Sequence, residues 1–103
     1  MEKNPSTQGM TTAIGEALAK WESNMAASLV KLKTIMTPEE WKSLELSQKT
    51  WEKYREAELK TQAEIYSRME GTMWRPVSST AAMDLTRKRA LLLTDYATTI
   101  SER

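Results

Sequence analysis

The chain has 103 residues and a net charge of +1, with 40% hydrophobic and 28% charged residues and neither cysteine nor histidine. Such a composition describes one folded domain rather than a disordered tail, with no field strong enough to point to nucleic acid or acidic lipid. The missing residue types exclude thiolate nucleophiles, disulfides, imidazole acid–base catalysis and the usual zinc ligands.

The opening stretch Met1 to Gly9 has no apolar core of the kind a secretion signal carries, so residues 1–11 read as a flexible leader. Residues 12–103 then form a single helical domain. The first helix is predicted from about Thr12 to about Met36, where Ile14, Leu18, Trp21, Met25, Leu29, Leu32 and Met36 recur at helical spacing. Thr37-Pro38-Glu39-Glu40 is the clearest local signal. Thr37 can cap, Pro38 suits the first helical position, and Glu40 can reach back as the partner of a capping box.

The second helix is predicted from Pro38 to about Glu70, with Gly71 as its stop and a length of about 48 Å. Its row Leu44, Gln48, Trp51, Arg55, Glu58, Gln62, Ile65, Met69 keeps to one side, apolar at both ends and polar in the centre. Burying an unpaired charge costs several kcal/mol, so this centre either faces water or carries a paired network. Arg55 and Glu58, three apart, are close enough to pair. Glu52 and Glu56 share a face with Lys49 and Lys53 and read as a solvated, salt-bridged surface, so no metal and no cofactor is expected.

Gly71 to Val77 reads as a loop, because Pro76 pushes Arg75 away from helix. Within it, Met73, Trp74 and Arg75 are candidate binding residues, since Trp and Arg most often anchor interfaces. The third helix, capped by Ser78, Ser79 or Thr80, carries Leu85, Leu92, Tyr96 and Ile100 in register with Arg89 among them. No strand-like alternation is present. The fold class is therefore all-α, a three-helix antiparallel bundle with a long second helix. Its core is expected to include Leu18, Met25, Leu29, Leu32, Leu44, Trp51, Leu59, Leu85, Leu92 and Tyr96.

Thr37-Pro38-Glu39-Glu40, Gln48-x-x-Trp51-x-x-Tyr54-Arg55-Glu56-Ala57-Glu58, Gly71-Thr72-Met73 and Leu85-Thr86-x-x-Arg89 together resemble the small LprI-type domain. The resemblance covers roughly Met25 to Leu93. It implies a helical, non-catalytic module of the lysozyme-inhibitor kind, common in bacterial envelope proteins, with a protein partner. Members of that family usually carry one cysteine after the last Glu of the motif and another before the Leu-Thr pair. Here Leu59 and Ala81 stand in those places, and Ala26 takes the place of the family's first-helix Asn.

Beside that resemblance, the residues themselves leave other readings. Gln48, Arg55, Glu58, Gln62, Thr86 and Arg89 form a polar network that can fix helix register. The same two arginines could instead bind a small anionic ligand, with catalysis if the site opens to substrate. A helical scaffold that oligomerises through the second helix is the third reading. Lys31, Lys33, Arg75, Arg87, Lys88 and Arg89 are matched by acidic residues, so no nucleic-acid partner is expected, and no apolar run is long enough to span a membrane. Absence of cysteine and of a signal favours the cytoplasm; the alternative is export with the signal removed.

Overall fold

A computed structural model describes residues 5–69 and 74–103, with the side chains of 5–8, 10, 11 and 74–79 left aside. The three helices are α1 (Pro5–Ile35), α2 (Pro38–Tyr66) and α3 (Trp74–Ser101), and there is no strand among the described residues. Short connections make α2 antiparallel to both of its neighbours, so α1 and α3 run parallel. The bundle measures 56 × 27 × 15 Å with a radius of gyration of 16.9 Å, against about 13 Å for a spherical domain of this length. It is a long, thin bundle.

Three boundaries differ from the sequence expectation. Helix α1 reaches back to Pro5, inside the stretch read as a leader; proline suits a first helical position because its missing N–H would be unpaired there. Helix α2 ends at Tyr66 rather than Glu70. Its cap is Ser67, in right-handed geometry, with its N–H on the Ala63 carbonyl and the following Arg68 N–H on the Ile65 carbonyl. Gly71, the expected stop, lies outside the described residues. Helix α3 begins at Trp74, so Trp74 to Val77 are helical and not loop. Pro76 falls in the first turn, where backbone N–H groups have no intrahelical acceptor and proline removes nothing.

The expected capping box between α1 and α2 forms as read. Glu40 N–H donates to Thr37 Oγ1 at 3.2 Å, and Thr37 N–H donates to Glu40 Oε1 at 2.9 Å. Glu40 also receives both terminal nitrogens of Arg103, each at 2.8 Å, which ties the end of α3 to the start of α2. No sequence pattern pairs residues so far apart.

Leu32, Leu44, Leu93 and Ala97 form the buried cluster, with Met25, Leu29, Ile35, Met36, Trp41 and Ile100 packed on it. Leu18, Trp51, Leu59 and Leu85 are half-buried. The expectation fails at Leu92 and Tyr96, each 38% exposed. The buried row of α3 is Thr86, Ala90, Leu93 and Ala97 instead, one position along from the predicted stripe. Small side chains explain the change. Ala90 and Ala97 let α3 lie close along α1, which is its main neighbour, whereas α2 stands further off and is reached by long side chains.

The Arg103–Glu40 pair has a pH signature. Arg103's hydrogen bonds, then the Thr37 N–H, hold the Glu40 carboxyl at about 2 instead of 4.5. A carboxyl with a depressed folded pKa stabilises fully above its unfolded value and loses that contribution as pH falls toward the folded value. The melting temperature should therefore drop between pH 4.5 and about 2, and Arg103→Ala should flatten that part of the curve. Melts followed by circular dichroism check this; equal slopes in the two proteins would mean that the pair does not hold in solution.

Candidate functional site

The polar centre assembles around Arg89. This side chain is 8% exposed, and no carboxylate of the described residues lies within ion-pair distance of it. Its Nε donates to Gln48 Oε1 at 2.9 Å and its Nη2 to Ser47 Oγ at 3.1 Å. The guanidinium sits 5.9 Å from the centre of the Trp51 ring, within reach of a cation–π attraction. Gln48 Nε2 then faces Glu52 Oε2 at 3.5 Å and the Met25 sulfur at 3.6 Å. The nearest counter-charge is thus held one residue away. Burial lowers the Arg89 pKa, while Tyr96 and Glu52 oppose that shift; an arginine stays charged under such a shift.

A second link lies closer to the far end of α2. Arg55 Nε donates to Thr86 Oγ1 at 3.1 Å, and the Thr86 hydroxyl donates in turn to the Ala82 carbonyl at 3.1 Å. One hydroxyl thus serves as both acceptor and donor, with its single O–H used. Gln48, Arg55, Thr86 and Arg89 are therefore brought together across α2 and α3, with Ser47 and Trp51 as partners the sequence reading did not include.

Glu58 and Gln62 do not join them. No Arg55–Glu58 ion pair forms, because Arg55 turns to α3, and an arginine preceding its acid is the poorer helical order. Glu58 is half-buried, and Gln62 Oε1 is buried without a partner. Glu52 and Glu56 form no ion pair with Lys49 or Lys53 among the described residues, contrary to the salt-bridged face expected of them. The described ion pairs instead join Arg68 to Glu64, Arg87 and Lys88 to Asp84, and Arg103 to Glu40. Those of Arg87 and Lys88 hold the Asp84 carboxyl below its usual range.

Three depressions lined by described residues lie around this centre. One, of about 680 Å³, lies between α2 and α3 over Met36, Leu44, Tyr96 and Ile100. Another, of about 250 Å³, has Met25, Trp51, Arg55 and Thr86 inside and Glu22, Glu52 and Glu56 around it. The third, of about 240 Å³, continues along α1 and α2 over Leu29, Trp41, Glu45, Gln48, Lys49 and Glu52. A site for a small anion would need a cavity open to both arginines. Arg55 does line one, but with three carboxylates, and Arg89 lines none of the three. That arrangement repels an anion. No cluster able to hold a metal occurs among the described residues, and no described helix is long and apolar enough to cross a membrane.

Of the other candidate binding residues, Met73 lies outside the described residues. Trp74 and Arg75 open α3, twelve residues before Thr86 and so about 18 Å from it along the axis.

Fold and site together define a small helical module whose buried arginine is hydrogen-bonded to side chains of a neighbouring helix. The chain belongs to the family described as lysozyme inhibitor LprI, whose pattern it matches over residues 1–93. No curated protein and no solved structure matches it significantly.

Two stability predictions follow from this geometry. Gln48→Leu should cost about 1–3 kcal/mol, because it strands a buried guanidinium N–H. Adding Arg89→Met should restore much of that loss. Urea titrations of the two single variants and the double variant measure the coupling, and a neutral Gln48→Leu would place Arg89 in water. The second prediction concerns the family's cysteine positions. The register that sets Arg55 against Thr86 sets Leu59 against Ala82, one residue from Ala81. With a Cα separation of about 5.5 Å expected for a bridge, Leu59→Cys with Ala81→Cys should oxidise in air to an intramolecular disulfide, seen as loss of free thiol without dimer. Thiols that stay reduced would show that these positions are not the family's pair.

Proposed function

We propose that the chain is a non-catalytic module that binds another protein, and that its partner is an enzyme of the lysozyme type, which it inhibits. The observation that carries this reading is the family match over residues 1–93, nearly the whole chain. The hydrogen bonds of Arg89 to Gln48 and Ser47, and the three carboxylates that line the Arg55 cavity, support binding over catalysis on an anion. The family's association with bacterial envelope proteins supports the exported alternative over the cytoplasmic one. Without cysteine the fold works in either redox setting.

Met73, Trp74 and Arg75 are proposed contacts. Tryptophan and arginine are enriched among the residues that dominate binding at interfaces. The test is co-precipitation with lysozyme, followed by its cell-wall hydrolysis rate in the presence of the protein. Trp74→Ala should weaken binding by about 2 kcal/mol or more and leave the thermal melt nearly unchanged. Lost stability with intact binding would make Trp74 part of the packing instead. No binding and no inhibition by the native chain would overturn the reading as a whole.

A further inference from the structure

Helices α1 and α2 barely approach each other by backbone, and the space between them is a groove formed by two of the depressions, which share Glu52. Its floor is apolar and half-buried: Met25, Leu29, Trp41 and Trp51. Its edges carry Glu22, Glu45, Glu52 and Glu56, and none of these forms an ion pair among the described residues.

The positive groups around it decide where the negative excess lies. Toward Trp41, Lys49 offsets Glu45, and Lys33 places its ammonium 5.8 Å from the Trp41 ring. Glu52 is engaged through Gln48 with the buried Arg89. Toward Trp51, Arg55 is among the described residues the one cation lining the cavity beside Glu22, Glu52 and Glu56, and its Nε is taken by Thr86; Lys53 and Lys60, one turn from Glu56, form no ion pair with that carboxylate. The uncompensated charge therefore sits at the Trp51 end, over a cavity of about 250 Å³ with an aromatic and a thioether inside. The chain's net charge is only +1, so this is a local feature and not a general acidity. Both indoles of the groove already face cations of the chain itself, Lys33 at one and Arg89 at the other.

We infer that the α1–α2 groove is the docking surface for a protein partner, and that its Glu22–Trp51–Glu56 end receives an arginine or lysine side chain of that partner. Carboxylates around an apolar and aromatic floor match such a side chain in both parts. The aliphatic stem lies on Met25 and Trp51, and the charged head meets the rim. This names the surface and partner chemistry for the binding function proposed above and rests on that reading. Solvent-exposed charge pairs at the rim add attraction and selectivity, and salt weakens them.

The test uses the full chain and two probes, lysozyme and a short arginine-rich peptide, the latter beside its citrulline counterpart, which keeps shape but loses charge. The indole N–H signals of Trp41 and Trp51 are followed by NMR, and affinity by calorimetry. The expected result is that the arginine peptide shifts the Trp51 signal and the citrulline peptide does not. The variant Glu22→Gln/Glu56→Gln should melt like the native chain, since neither carboxylate is paired, while binding both probes about tenfold more weakly.

If lysozyme does not bind but the arginine peptide does, the groove stands and the choice of partner fails. If lysozyme binds equally to native and variant chains, the inhibitor reading stands and the groove is overturned. Equal response to both peptides, or none to either, also overturns it. A native chain that sediments as a dimer while the double variant is monomeric would assign the groove to a second copy instead, and so overturn the inference.

Discussion

Arg89 decides how α2 is held. Helices α1 and α3 approach closely along Ala90 and Ala97, so their contact is a matter of small side chains meeting at short range. Helix α2 stands off from that pair, and the gap is bridged by a buried guanidinium that reaches Gln48, Ser47 and the face of Trp51. A charge in that position must be satisfied by neutral acceptors, and only one alignment of α2 offers them. Sliding α2 by one turn, about 5.4 Å, would withdraw the Gln48 carbonyl and the indole together. An apolar seam would tolerate such a slip far better. A buried charge held this way is of the kind expected to contribute specificity of register more than net stability.

The other contacts between α2 and α3 follow from that alignment. Once Arg89 lies against Gln48, Thr86 comes opposite Arg55 and Arg103 opposite Glu40. The Arg103 pair is exposed, and exposed pairs contribute little on their own. Here, however, Glu40 is already oriented by its capping hydrogen bond to the Thr37 N–H. Both partners need not be ordered from scratch, which reduces the entropy cost that usually cancels such pairs.

The parts of this structure legible in the sequence are the local ones. Thr37 to Glu40 specify their capping box within four residues, and the spacing of Leu29, Leu32 and Leu44 places them on or in the core. The interruption of the α2 stripe by Gln48 and Arg55 signalled a polar centre. Which groups met there was less accessible, because hydrogen-bond partners on different helices are set by approach and rotation. Arg55 had a sequence neighbour in Glu58 and a spatial one in Thr86, and the spatial one is bonded. The stripe of α3 was misplaced for a similar reason. Leu91, Leu92 and Leu93 supply an apolar residue in three successive directions, so hydrophobicity alone does not fix the buried face. Ala90 and Ala97 fix it through volume, which a hydropathy pattern does not weigh. At Arg75, the rule that residues before proline avoid helix gave way to a first turn that loses no hydrogen bond.

Among the described residues, hydrogen bonds between α2 and α3 run from Glu40 through Gln48 to Arg55. Beyond Arg55, Gln62 Oε1 is buried without a partner, and Ile65 and Met69 are exposed. The family resemblance sets its cysteine pair at Leu59 and Ala81, where this chain has no cysteine. The rim carboxylates Glu22 and Glu56 lie beside Arg55, in the part of α2 whose register against α3 is set by Gln48 and Arg55. A partner docked there would meet side chains already held in place, so less of its binding energy would go into ordering them than at an unlinked helix face.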